Sequence, residues 1–242
     1  MQLGFGVRNV PAGFLAEDYY LMRPADAQCW IFDLDNTLYP ASCRLFDQVE
    51  RRIGEFVQQL LSLEPEAARA LQKQYFRDHQ TTLNGLMIHH KIRPEEFLEF
   101  VHRIDVSGVA ADGRLDQALD RLPGRKLIYT NGSVRHAENV MGRLGVAHHF
   151  EGVFDIAEAA YVPKPDISAY RALVARHGFD PARAIMLDDM PRNLAPAAEL
   201  GMTTVWVKTD VSWAQPAEQT DYIHHTTENL ADWLHAVSKD ET

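Results

Sequence analysis

The amino-acid sequence predicts an α/β fold: a parallel sheet flanked by helices, with an all-helical segment inserted after the first strand. Short apolar runs of strand length recur at Gln28–Phe32, Lys126–Tyr129, Ala184–Leu187 and Thr203–Val207, and the later ones alternate with helical stretches. Alternation at that spacing implies parallel strands joined by right-handed crossovers. By contrast, residues 42–112 carry helical periodicity that no convincing strand interrupts.

Taken in chain order, Gln28–Phe32 is a buried strand that ends at Asp33. In the inserted segment, Phe46, Val49, Ile53, Phe56, Val57 and Leu60 fall on one helical face, and Phe97, Leu98 and Val101 on another. These patterns set the expected domains: an α/β core of residues 1–41 and 113–242, and a helical unit of residues 42–112. Beyond the second run, Ser133 can cap a helix that runs toward Gly142. Pro165 suits the first turn of a helix whose Ile167, Tyr170, Leu173 and Val174 share a face before His177-Gly178 ends it. Pro191 opens another, stopped near Gly201. Leu230, Trp233, Leu234 and Val237 form a packing helix; residues 1–27 and the polar tail after Val207 carry no other signal.

The composition is that of a globular protein: 242 residues, 46% hydrophobic and 24% charged. No run approaches the roughly 18 apolar residues that span a bilayer, and the N-terminus lacks a basic-then-apolar leader, so a cytoplasmic location is expected. Cys29 and Cys43, with no CxxC or Cys/His framework around them, are expected to be reduced thiols. A net charge of −10 argues against nucleic-acid polymers as partners. It also means that any anionic substrate must be attracted locally.

Asp33 and Asp35 stand two apart at the end of the first strand, so their side chains project to the same side. Turn chemistry alone would explain Asp-Leu-Asp-Asn equally well. The other strand ends alter that balance. Thr130-Asn131-Gly132 offers a hydroxyl, an amide and free N–H groups at a helix start, Asp188-Asp189 supplies two more carboxylates, and Lys164 contributes a cation. In an open α/β sheet the ligand crevice lies at this edge. Clustered carboxylates need a cation among them, and an all-oxygen set suits Mg²⁺.

IFDLDNTLYP at 31–40, YTNGS at 129–133, VPKP at 162–165 and IMLDDMPRN at 185–193 resemble, in order and spacing, the four motifs of the haloacid dehalogenase-like hydrolases. The likeness runs from Gln28 to about Thr209 and is closest to the pyrimidine 5′-nucleotidase-like branch, through DNTLYP and a TTLNGL segment at 81–86. It implies a Rossmann-like catalytic core under a helical cap, and a Mg²⁺-dependent phosphatase working through an aspartyl-phosphate. Asp33 would be the nucleophile and Asp35 the general acid and base. Thr130, Asn131 and Lys164 would bind phosphate. The metal set would be Asp33, Asp35 through its carbonyl, and Asp189, with Asp188 supporting. Thr81, Thr82 and Leu83 would contact the substrate from the cap. His79-Gln80 stands where close relatives have Tyr-Gly, which leaves the pyrimidine preference open. His89 and His90 fit better as surface or packing residues than as substrate contacts.

The expected substrate is a small phosphate monoester, a nucleoside 5′-monophosphate foremost, with FMN, pyridoxal phosphate or sugar phosphates as alternatives; the expected state is a monomer or homodimer. Three rivals share the chemistry. A dehalogenase has no need of Asp35, because a halide leaves without a proton. A phosphomutase would pass the phosphoryl group to a sugar. A receiver-like signalling module has no need of the helical insertion.

Overall fold

A computed structural model describes residues 22–210 and 220–238. The expected core ranges also include residues 1–21, 211–219 and 239–242, which lie outside the described residues. In chain order the elements are β1 (Cys29–Phe32), α1 (Leu45–Leu61), α2 (Pro65–His79), α3 (Thr82–His90), α4 (Pro94–Val101), α5 (Gly113–Arg121), β2 (Arg125–Tyr129), α6 (Val134–Leu144), β3 (Gly152–Phe154), α7 (Ile167–His177), β4 (Ala184–Asp188), α8 (Pro191–Glu199), β5 (Thr203–Val207), β6 (His225–Thr227) and α9 (Leu230–Val237).

The six strands form one parallel sheet in the order β3-β2-β1-β4-β5-β6. Because β1 is paired on both sides and covered on both faces, all four of its residues are buried, which explains its unbroken apolar sequence. Alternate residues serve opposite faces. Trp30, Phe32, Ile128 and Leu187 pack with α5, α6 and α9, while Cys29, Ile31, Leu127 and Met186 pack with α7 and α8. Phe32 lies level with Ile128 and Leu187, so the polar residues that follow these three strands emerge together at one edge. Chain order reverses between β1 and β4, which makes that edge the place where an open sheet offers a crevice.

Helices α1 to α4 gather around an apolar cluster of their own, including Val57, Tyr75, Leu86, Phe97 and Val101, with Ile156 added from the loop after β3. Leu60, expected on the buried face of α1, is instead 41% exposed, and its neighbour Leu61 packs against the cluster in its place. The α6 helix does not stop at Gly142. It ends at Gly145, whose φ of 80° provides the left-handed cap. Nor does Pro165 open α7: the Asp166 carboxylate accepts from the Ser168 N–H and starts the helix at Ile167. Strands β3 and β6, with three residues each, carry too little pattern to stand out in the sequence. No helix among the described residues is long and apolar enough to cross a membrane.

Two substitutions separate backbone demands from space. Gly124 has a φ of 75°, and a Cβ there would lie 2.5 Å from the Gln28 carbonyl oxygen, whereas a Cβ on Gly142 inside α6 meets nothing within 4 Å. Urea unfolding is expected to show G124A destabilised by at least about 1–3 kcal/mol and G142A unchanged or stabilised by up to about 1 kcal/mol. Burial also pushes the Cys29 thiol up to about 12. Alkylation by iodoacetamide at pH 8 should therefore miss Cys29 in the folded protein and reach it on unfolding.

Candidate active site

Lys164 organises the polar edge. Its ammonium is 1% exposed and donates to Asp33 Oδ1 at 2.7 Å, Asp188 Oδ2 at 2.7 Å and the Tyr129 carbonyl at 3.0 Å. All three donors are thereby used. The loop that carries it is held by Asn131, whose Oδ1 accepts from the Lys164 N–H at 2.8 Å. Asn131, expected to meet phosphate, thus holds the Lys164 backbone and also lines the cavity beside Thr130. The backbone N–H of Asp33 donates to the Leu187 carbonyl, locking the first strand end to the fourth. Thr130 is buried beside them, its Oγ1 accepting from the Gly132 N–H at 2.9 Å.

Asp188 and Asp189 have different surroundings. Asp188 accepts from Lys164, from the Met190 N–H and from Asn193 Nδ2, so both its oxygens are occupied. Asp189 has its carbonyl fixed by Trp206 Nε1 at 2.9 Å, yet its Oδ2 is buried with no hydrogen-bond partner. Carboxylate oxygens of Asp33, Asp188 and Asp189 lie within 4.8 Å of one another. Burial first, and then the neighbouring aspartates, push Asp33 up to about 7 against the pull of Lys164, and push Asp189 well above the usual carboxylate range. Burial works against the Lys164 ammonium, but Asp188 and Asp33 outweigh it and hold the group well above its ordinary value. An all-oxygen cluster with a buried, unpartnered carboxylate oxygen fits a hard divalent cation.

The Asp35 side chain stands outside that cluster. Its Oδ1 accepts from the Tyr39 hydroxyl at 2.5 Å and from His136 Nε2 at 2.8 Å. Burial alone would raise this carboxyl, but His136, then Tyr39 and His102, hold it below the usual range. His136 is 1% exposed. Its ring lies parallel to that of His102, with centroids 4.4 Å apart, and His102 Nδ1 is 2.9 Å from Ser133 Oγ. Burial, then His136, push His102 down to about 3, which keeps it neutral.

Above these residues lies a cavity of about 560 Å³. Asp33, Asp35, Thr130, Lys164 and Asp189 form its floor; Phe46, Val49, Ile53, Phe76 and Leu98 supply an apolar wall. Thr81, Thr82 and Leu83 line it too, but the Thr81 oxygen accepts from the Asn84 N–H as a helix cap and the Thr82 hydroxyl donates to the Gln72 carbonyl. His89 and His90 do not reach the cavity: His89 pairs with His79 and stacks on Tyr75, and His90 meets the Tyr75 hydroxyl. Arg192 reaches from α8 to the helical unit, donating to the Gln80 carbonyl and lying over Phe76.

Residues 28–201 match the haloacid dehalogenase-like hydrolase family. The chain belongs to that family. Phosphate metabolism protein 8 of Saccharomyces cerevisiae is 26% identical over 191 residues, covering 72% of this chain and 59% of the relative, so this chain spans less than two thirds of that relative's length. Among solved structures, the HAD phosphatase of Thermococcus onnurineus shares 16% identity at a TM-score of 0.58, covering 87% of this chain and 97% of its own. The magnesium-bound HAD-hydrolase YfnB of Bacillus subtilis shares 13% identity at a TM-score of 0.58, with 87% of this chain and 98% of its own covered. The L-2-haloacid dehalogenase of Xanthobacter autotrophicus also has this fold, at 14% identity and 0.54, with 88% and 99% covered. The hydrolase fold is thus common to phosphatases and dehalogenases, and residues on the site must distinguish them.

Sequence reasoning did not find Tyr39, His102, His136 or Arg192. His136 had a readable signal, since it shares the buried face of α6 with Ala137, Val140, Met141 and Leu144 immediately after the Thr130 turn. In the presence of EDTA, Lys164→Met should lower the unfolding free energy by about 3–5 kcal/mol, because two carboxylates lose their buried partner. Equal stability of K164M and the parent in urea would show that the cluster does not depend on this ammonium.

Proposed function

We propose that the chain is a Mg²⁺-dependent phosphatase that hydrolyses small phosphate monoesters through an aspartyl-phosphate on Asp33, with nucleoside 5′-monophosphates the first substrates to test. One observation carries the reading: Asp33, held by Lys164, lies beside the unpartnered Asp189 carboxylate, with a second, separately held carboxylate at Asp35. Residues 42–112 act as a cap whose apolar wall faces the leaving group. The relatives named for phosphate metabolism and phosphatase activity agree with this assignment.

Asp33 and Asp189, with the Asp35 carbonyl, would hold Mg²⁺, which when bound neutralises charge on the phosphoryl oxygens. Asp188 holds Lys164 and so supports the set from behind. Attack by an Asp33 carboxylate oxygen forms a P–O bond as the ester P–O bond breaks, and Asp35 gives its proton to the departing oxygen. Water then transfers a proton to Asp35 and attacks phosphorus, releasing inorganic phosphate and restoring the Asp33 carboxylate. Thr130, its hydroxyl hydrogen free to donate while the oxygen accepts from Gly132, binds the phosphoryl group. A dehalogenase would have no use for a second aspartate fixed by its own donors. A receiver-like module would have no use for a 560 Å³ cavity.

Phosphate release should require Mg²⁺ and vanish in Asp33→Asn; full activity in D33N would remove the proposed nucleophile. A readout independent of turnover is thermal unfolding. Mg²⁺ at 100 times its dissociation constant should stabilise the parent by about 2.7 kcal/mol, with a much smaller shift in Asp189→Asn. Comparing UMP, CMP, purine nucleotides, FMN, pyridoxal phosphate and sugar phosphates identifies the leaving group.

A further inference from the structure

We infer that His136 and Tyr39 are positioning residues that fix Asp35 so that a single oxygen, Oδ2, carries the proton in both half-reactions. The inference rests on the phosphatase reading above and adds residues that the four family motifs do not assign to this task. Asp35 is at the cavity floor with its side chain 16% exposed, and both described donors converge on one of its oxygens, Oδ1. A carboxylate oxygen has two lone pairs, so Oδ1 is saturated. No described residue donates to Oδ2, which remains for the leaving oxygen and for water.

The two donors come from separate elements and are themselves immobile. Tyr39, 1% exposed, belongs to the turn after β1, four residues beyond Asp35. His136 stands in the first turn of α6, its backbone N–H donating to Ser133 Oγ and its ring flat against His102. Whether Asp35 is ionised or protonated on Oδ2, its Oδ1 can only accept, which places a hydrogen on His136 Nε2. His102 follows α4, where the chain leaves the cap, so the support behind the imidazole comes from the helical unit.

This arrangement also keeps Asp35 from becoming a metal ligand through its carboxylate. Asp33, Asp188 and Asp189 have carboxylate oxygens within 4.8 Å of one another, and Asp35 is not part of that group. Two hydrogen bonds to Oδ1 turn the Asp35 side chain toward α6. A purely structural role for His136 and Tyr39 would not need both to meet the same oxygen.

The test uses the full chain with Mg²⁺ and compares kcat/KM, which reports steps up to phosphoryl transfer, for p-nitrophenyl phosphate and an alkyl monoester such as a nucleoside 5′-monophosphate. The aryl leaving group departs without a proton; the alkyl one does not. General acid–base catalysis contributes about 10²–10⁴-fold. His136→Ala is expected to lower kcat/KM for the alkyl ester about 100-fold, mainly through kcat, and for the aryl ester less than about 5-fold. His136→Gln, which restores a donor, should recover at least about tenfold of the alkyl loss, and Tyr39→Phe should show the same asymmetry at smaller size. Equal losses on both esters, or none, in variants that melt cooperatively would overturn the inference. Should H136A fail to fold, Y39F decides by the same comparison. D33N separates the two levels: activity retained there removes the phosphatase reading, whereas an inactive D33N beside a symmetric His136 effect removes only the positioning role.

Discussion

Three aspartates share a buried corner of this protein because one ammonium is buried with them. Without Lys164, Asp33 and Asp188 would each face uncompensated desolvation at a strand end; with it, each accepts a charge-assisted bond of 2.7 Å. The surrounding structure serves that contact. Asn131 holds the Lys164 backbone, Asn193 and the Met190 amide fill the remaining lone pairs of Asp188, and the level register of β1, β2 and β4 places the participants at one height. Lys164 gives all three of its donors elsewhere in this arrangement, and Asp189 Oδ2 stays buried without a hydrogen-bond partner. Three carboxylates thus face a single buried ammonium, an excess of negative charge that a divalent cation would offset.

An acidic chain can handle an anionic substrate on these terms because attraction is local. A formal charge of −10 repels phosphate at long range. That repulsion is screened over about 8 Å at physiological ionic strength, whereas Lys164 and the Asp33 and Asp189 carboxylates proposed to hold a cation line the cavity floor. The apolar wall above excludes water, which strengthens each of those contacts. Binding and chemistry are divided accordingly: strand ends supply the reacting groups, and helix faces supply the enclosure.

Much of this was legible in the sequence because the strand-ending residues are adjacent to runs that must be buried. Asp33, Thr130 and Asp188 each close an apolar run, so the period-2 pattern and its interruption locate them together. The partnerships were less legible. Asn131 appears suited to phosphate yet bonds to the Lys164 backbone, 33 residues away, a pairing that depends on how the loop after β3 returns to the sheet. His136 is 101 residues from Asp35, and His102 reaches it only because α4 ends beside α6. Thr81 and Thr82 line the cavity as the resemblance implies, but their hydroxyls already serve the start of α3 and the Gln72 carbonyl in the middle of α2. Spacing along the chain carries none of this information.

The sheet's outer strands have a consequence for how copies of the chain can meet. Strands β3 and β6 contain three residues each, and β6 is His-Thr-Thr. Unpaired strand edges are templates for another strand, and short polar ones are poor templates. Among the described residues, the ladder that positions Asp33 thus ends on both sides in segments that are poor templates for another strand. The central strand β1, whose pairing with β4 sets Asp33 level with Asp188, lies two strands in from β3 and three from β6.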